Sequence, residues 1–286
     1  MKILILGLPK TGTTALYSKI KNSLDESYKC FFEPDSYSGG ENTNVISKVL
    51  FQKKSTDYNS FLNFDKKILI VRDLRDWVIS GALYGFSYGP RYFSNESLVY
   101  PILNLLIKKE KNPNEVSLRE LFRLLRFKPE GNFDIRGHSR MILLENFMKF
   151  HKDNNDFFVL KYEDFIDGNL EDLENYLGFN LTGSSEVGPN LRRVVRTKGY
   201  GNWKDWFTSN DIDYFKPILT PFMRKYGYDD GWDTNFNKII NPEHCSLYAL
   251  RNINEKRNNA GLAPIRFNER GIINKIKKFL GRIQFQ

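Results

Sequence analysis

Apolar positions along the chain alternate between two spacings. Lys2–Leu8 is a short run of β-favouring residues that ends in Gly7-Leu-Pro-Lys-Thr-Gly12. Beyond it Leu16, Ile20 and Leu24 recur every fourth residue, so the pattern predicts a strand, a glycine turn and a helix. Tyr28–Phe32 suits a second strand, and Lys67–Val71 a stronger one, because an unbroken branched run fits a strand covered on both faces. Asp73–Tyr84 then has helical spacing. From Tyr88 to Phe150 the pattern is mostly helical: Ser117-Leu-Arg-Glu120 has the form of a capping box, and Leu118, Leu121, Phe122 and Leu125 share one face. Phe157–Lys161 returns to strand, and a helix over Leu170–Leu177 is stopped by Gly178. Strands alternating with helices predict an α/β fold of three layers, a parallel sheet flanked by helices. With no internal repeat and no linker, residues 1–286 are expected to form a single domain with a helical insertion over about 85–150.

The last apolar stretch is different in kind. Within Gly271–Ile283, Ile272, Ile273, Ile276, Phe279, Leu280 and Ile283 are interleaved with Lys275, Lys277, Lys278 and Arg282, the pattern of a basic amphipathic helix. Such a helix suits the surface of an anionic membrane, and docking of its apolar face on the body of the protein, the plainer expectation, has the same pattern. The formal net charge of +9 favours anionic partners such as phosphates, acidic glycans or membrane surfaces; nucleic acid is not among the partners expected. Met1–Leu8 is cut off by Gly7, Pro9 and Lys10, far short of the roughly 20 residues of a spanning helix and shorter than a signal peptide requires. Cys30 and Cys245 are too few for a disulfide framework and lack metal-ligand spacing. The chain therefore reads as a soluble, cytoplasmic protein whose membrane contact, if any, is peripheral.

Gly7-Leu-Pro-Lys-Thr-Gly12-Thr13-Thr14 joins the first predicted strand to the first predicted helix. Loop N–H groups and a helix N-terminus in that position bind phosphate or sulfate. Against the pattern G-x-x-x-x-G-K-[ST], both glycines and the final threonine match, but Thr13 stands where the lysine belongs and the cation sits earlier, at Lys10. The lysine of an ATP loop reaches the β- and γ-phosphates, and threonine brings no charge to that task. The sheet is thus P-loop-like, while a P-loop kinase is disfavoured. A glycine-rich turn with an incidental lysine is the plainer alternative.

These residues resemble a known family. Pro9-Lys-Thr-Gly-Thr-Thr-Ala-Leu16 is similar to the 5′-phosphosulfate loop of sulfotransferases that use 3′-phosphoadenosine 5′-phosphosulfate, PAPS. The resemblance implies that Lys10, Thr11, Gly12, Thr13, Thr14 and Ala15 bind the 5′ side of PAPS. Ile68-Leu-Ile-Val-Arg72-Asp-Leu-Arg-Asp76-Trp-Val-Ile-Ser80 is similar to the family's 3′-phosphate segment, in which an arginine ends a strand and a serine follows eight residues later. At about 3.6 residues per turn Ser80 lies two turns into the following helix, and a guanidinium fork with a hydroxyl suits a terminal phosphate. Pairing of Arg72 with Asp73 or Asp76, with Ser80 as a packing residue, also fits. Val159-Leu-Lys-Tyr162-Glu-Asp164 resembles the strand whose tyrosine is placed by the adenine, unless Tyr162 is only a core aromatic. Arg196-Thr-Lys198-Gly199-Tyr-Gly201-Asn-Trp203 resembles the loop that closes over the nucleotide. It departs from the usual form by Thr197 between the two cations and by one residue fewer between the glycines. Lys198 with the Gly199 amide, or else Arg196, is implied as the phosphate ligand. The matching segments extend from residue 1 to about 226, with Tyr88–Phe150 poorly matched.

The resemblance implies sulfuryl transfer from PAPS to an acceptor hydroxyl, leaving adenosine 3′,5′-bisphosphate, with Lys10 stabilising charge on the leaving side and no metal required. Opposite Lys10 a general base is needed. Phe31-Phe-Glu-Pro34 resembles a segment of carbohydrate sulfotransferases, which makes Glu33 the expected base and Asp35 its neighbour and alternative. No histidine stands where the small-molecule enzymes have one, and this favours a carbohydrate or glycan acceptor over a phenol. Acceptor contacts are expected within Tyr84–Arg140, rich in Tyr84, Phe86, Tyr88, Arg91, Tyr92 and Phe93, though the same residues also suit helix packing. A module of the same fold that binds a nucleotide or a membrane without catalysis is the alternative from a different class.

Overall fold

The computed structural model describes residues 1–40, 43–52, 55–86, 93–124, 138–188, 191, 195–229 and 231–266. The segment 271–283, and Tyr88, Arg91 and Tyr92, lie outside them. Five strands form one sheet: β1 (Lys2–Gly7), β2 (Lys29–Phe32), β3 (Val45–Leu50), β4 (Lys66–Val71) and β5 (Phe158–Lys161). Their order is β2-β3-β1-β4-β5 and every pairing is parallel. Ile3, Leu4, Ile5, Leu6 and Ile68–Val71 are all at most 2% exposed, which is why β1 and β4 are apolar without alternation.

Along β1 and β4, Ile3, Ile5, Ile68 and Ile70 point to one face, joined there by Ile46 of β3. They pack with Leu16, Tyr17 and Ile20 of α1 (Thr13–Lys21), Phe165 of α6 (Tyr162–Asp167), and Leu173 and Leu177 of α7 (Glu171–Leu177). Elsewhere in the same unit, α5 (His138–Asp153) sets Phe147 and Phe150 against Phe51, with ring centroids 5.2 and 5.3 Å apart. The remaining helices are α2 (Leu74–Gly85), α3 (Glu96–Lys111), α4 (Leu118–Leu124), α8 (Trp203–Trp206), α9 (Ser209–Lys225) and α10 (Ser246–Asn259). The sheet is the parallel, helix-flanked α/β architecture that the alternating pattern predicts.

β3 was not predicted. Its run Val45-Ile-Ser-Lys-Val-Leu50 carries Ser47 and Lys48 at its centre, which breaks the apolar signal, yet both are buried, at 0% and 2% exposure. The strand ending in Val71 is consequently the fourth in the chain.

Two compact units share the residues: Met1–Trp77, Ser139–Tyr200 and Phe222–Tyr228 in the first, Val78–His138, Gly201–Pro221 and Asp229–Gln286 in the second. The first holds the sheet. In the second, the capping box of α4 is present: the Ser117 amide donates to Glu120 Oε2 at 2.8 Å and the Glu120 amide to Ser117 Oγ at 3.2 Å. Asp211, fully buried, accepts the amides of Leu118, Arg119 and Thr208 and the Thr208 hydroxyl. Buried Arg257 of α10 donates to the Phe93 and Ala263 carbonyls and pairs with Glu96 of α3 at 3.2 Å. Phe86 and Phe93, expected as acceptor contacts, are buried and pack.

Candidate active site

Sheet order places the carboxyl ends of β1 and β4 side by side where the chain connections diverge, the position at which open α/β sheets bind ligands. The loop after β1 turns tightly: the Thr11 hydroxyl and amide both donate to the Leu8 carbonyl, at 2.7 and 3.3 Å. Thr11 is therefore spent on the turn. Lys10 sits at φ 72°, a left-handed conformation that costs a side chain of its kind about 1–2 kcal/mol. Gly12, at φ 95°, precedes α1, and a Cβ there would lie 2.5 Å from the ring of Tyr162. α1 opens with no side-chain cap and no acidic residue in its first turn. Its first intrahelical amide in use is that of Leu16, which donates to the Gly12 carbonyl at 3.1 Å. The amides of Thr13, Thr14 and Ala15 thus point out of the helix end, where the macrodipole favours an anion.

The segment after β4 faces this loop. Arg72 is buried, its guanidinium 4.3 Å from the Tyr162 ring centroid, and its Nη1 donates to the Lys10 carbonyl at 3.1 Å. Its Nη2 donates to the Gly199 carbonyl at 3.3 Å, while Nε, also buried, meets no acceptor among the described residues. An anion would satisfy that donor. Pairing of Arg72 with Asp73 does not occur: Arg75 forks onto both Asp73 oxygens, at 2.8–3.1 Å. The Trp77 indole donates to the Pro9 carbonyl at 2.6 Å and pins the loop from below.

The Tyr162 hydroxyl reaches the Thr197 carbonyl at 3.5 Å, which brings the late loop to the same place. Burial pushes the Tyr162 phenol up, while Arg72 and Arg196 pull it down. Of the two late cations, Arg196 is buried and within electrostatic reach of Tyr162, whereas Lys198 is exposed; Gly199 engages Arg72 through its carbonyl. Glu163 braces the arrangement, accepting the Asp73 amide at 3.1 Å and the Tyr228 hydroxyl at 2.8 Å. Burial pushes its carboxyl above the ordinary range, against both bonds. Sequence reasoning gave no role to Glu163, Trp77 or Tyr228.

On the other side of β1, Glu33 follows β2 with φ 56°. Lys10 and Glu33 are the two non-glycine residues of positive φ among those described. Glu33 pairs through Oε1 with Lys48 of β3, a partner the sequence did not suggest. Asp35 accepts the Thr56 hydroxyl through Oδ1 at 3.5 Å and, through its backbone carbonyl, the Asp57 amide at 2.8 Å. Ser80 is buried on α2, in the second unit. His151 stacks on Tyr226 with Nδ1 3.2 Å from the hydroxyl, away from these residues in its bonding.

The fold is a P-loop-like α/β fold, a five-stranded parallel sheet flanked by helices. No protein-family model matches the chain, and no curated protein does. Among solved structures, mouse sulfotransferase SULT7A1, crystallised as a complex with PAP, matches over 79% of this chain and 84% of its own, with a TM-score of 0.50 and 15% sequence identity. At that identity the likeness is one of fold.

Proposed function

We propose that this protein transfers a sulfuryl group from PAPS to a hydroxyl of a carbohydrate. The observation that carries the reading is Arg72: a buried guanidinium laid on Tyr162, bonded to the phosphate-type loop, with its Nε meeting no acceptor among the described residues. An unsatisfied buried donor costs about 1–3 kcal/mol, more when charged, and a phosphate oxygen removes that cost. Beside it the outward amides of α1 and the cation of Lys10 provide for a second anionic group, so a nucleotide with phosphates at both ends fits the residues better than a single triphosphate chain. Arg196 adds charge on the Tyr162 side.

In this scheme Lys10 and the α1 amides take up the charge left on the 5′-phosphate as its S–O bond breaks. Glu33 accepts the proton of the attacking hydroxyl while the new O–S bond forms. Phe31 and Phe32, 36% and 42% exposed beside Glu33 on the edge strand, offer aromatic faces to a sugar. Cys30 and Cys245 are both free thiols, which suits a reducing, cytoplasmic location; no helix among the described residues is long and apolar enough to cross a membrane.

Calorimetry with adenosine 3′,5′-bisphosphate and with ATP tests the nucleotide, and labelled PAPS with a panel of glycans tests the transfer. The expected result is binding of the bisphosphate in preference to ATP and label on a glycan. Tight ATP binding without bisphosphate binding would overturn the reading, and bisphosphate binding with no acceptor labelled would favour a non-catalytic module.

A further inference from the structure

Lys48 occupies a position on β3 where the fold calls for an apolar side chain. Strand alternation puts it on the face of Ile46, which packs in the core against α1. It is 2% exposed, and its ammonium lies 4.2 Å from the Phe32 ring centroid. Burial pushes that ammonium below the usual lysine range, against the pull of Glu33. Backbone and side chain both join it to Glu33: the Glu33 amide donates to the Lys48 carbonyl at 2.7 Å, and Nζ pairs with Oε1. The left-handed backbone at Glu33 occurs within this doubly joined pair.

Stability does not account for the arrangement. Withdrawing an ammonium from water costs several kcal/mol, and an apolar residue of similar volume usually does as well or better. The turn at Glu33 adds about 1–2 kcal/mol of backbone strain. Position, by contrast, does account for it. β3 lies between β1 and β2, so Lys48 comes from the strand between those that lead into Lys10 and Glu33. Two strand spacings of about 4.8 Å separate those two ends. The Glu33 side chain keeps 29% of its surface exposed, so one end of the pair is buried and the other is open to an acceptor.

We propose that Lys48 is the positioning residue for Glu33 in the sulfuryl transfer, an inference that rests on the function proposed above. By occupying Oε1 it holds the carboxylate in one orientation, and Oε2 is left to take the acceptor proton. The proton passes from the hydroxyl to Oε2 as the O–S bond forms and the S–O bond to the 5′-phosphate breaks, and Glu33 later releases it to solvent.

Release of labelled sulfate from PAPS, with water as the acceptor, can be followed across pH in the full chain without knowing the natural acceptor. Lys48→Met keeps the buried stem and removes the charge. Its rate of sulfate release at saturating PAPS is expected to fall by about 10-fold or more with the KM for PAPS little changed, since a base held out of position lowers turnover rather than binding. Lys48→Arg should restore the rate, and bisphosphate affinity should stay within about twofold in both, since Lys48 pairs with Glu33 and not with the residues proposed to hold the bisphosphate. If Lys48→Met does not fold, Lys48→Gln makes the same test. An unchanged rate in Lys48→Met, or a loss that Lys48→Arg does not restore, overturns the assignment of Lys48 alone. Bisphosphate binding without sulfate release at any pH overturns it as well. A wild-type chain that neither binds the bisphosphate nor releases sulfate overturns the transferase reading itself.

Discussion

Lys10 and Glu33 are placed by left-handed backbone, a conformation that residues with a Cβ adopt at a cost. Strain of this sort persists where the surroundings enforce it, and it concentrates at functional sites. On the proposed function, Glu33→Gln keeps the shape and loses the proton acceptor, so turnover should fall by about 100-fold or more with bisphosphate affinity retained; single-turnover kinetics beside calorimetry separates the two. Arg72→Lys keeps the charge but not the fork over Tyr162. Its bisphosphate affinity should drop by about 10-fold or more, the value of one charge-assisted bond. Gly12→Ala tests the loop from the other direction. Its Cβ would meet Tyr162 at 2.5 Å in a backbone of φ 95°, and the strain together with overpacking should cost at least ~2 kcal/mol in urea unfolding.

Among the elements, those with one apolar period were legible from the chain and those with a polar centre were not. β1, β4 and α1 follow their sequence patterns because each has a sheet or helix face uniformly covered. Gly178 ends α7 in a left-handed C-cap, its amide donating to the Glu174 carbonyl at 2.7 Å, as its position foretells. The box at Ser117 and Glu120 is equally local. What holds the start of α4 besides the box is Asp211, which lies 93 residues beyond Leu118, and no local pattern reports such a partner. Asp211→Ala removes an acceptor shared by three amides and a hydroxyl, and each buried donor left unmet costs about 1–3 kcal/mol. A loss of ~3–5 kcal/mol is expected in equilibrium unfolding, with Asp211→Asn losing less because it keeps one acceptor.

Across the whole molecule, Glu163 links the turn after β4 to Tyr228, and its titration should be readable in global stability. Burial pushes its folded-state carboxyl above the 4.5 of an unperturbed glutamate. In the window above 4.5 the folded chain therefore holds more protons than the unfolded one, so this group's contribution is full at lower pH and is lost as pH rises. Thermal melts from acid to neutral pH should show wild-type stability falling relative to Glu163→Gln through that window. A difference between the two proteins that stays constant with pH would disprove the assignment.

The sequence by itself determined the alternation of strand and helix, and it pointed to an anion at the loop after β1 and, through its resemblance to PAPS-dependent sulfotransferases, to Lys10, Arg72 and Tyr162, because apolar period, glycine placement and charge are local properties of a chain. Only the tertiary structure decided that Arg196 rather than Lys198 lies by Tyr162, that Trp77 and Glu163 brace the loop and its neighbour, and that Lys48 is buried against Glu33. The reason is physical: whether a polar side chain is solvated or desolvated depends on the partner that packing brings to it, and these partners come from strands and loops distant in sequence.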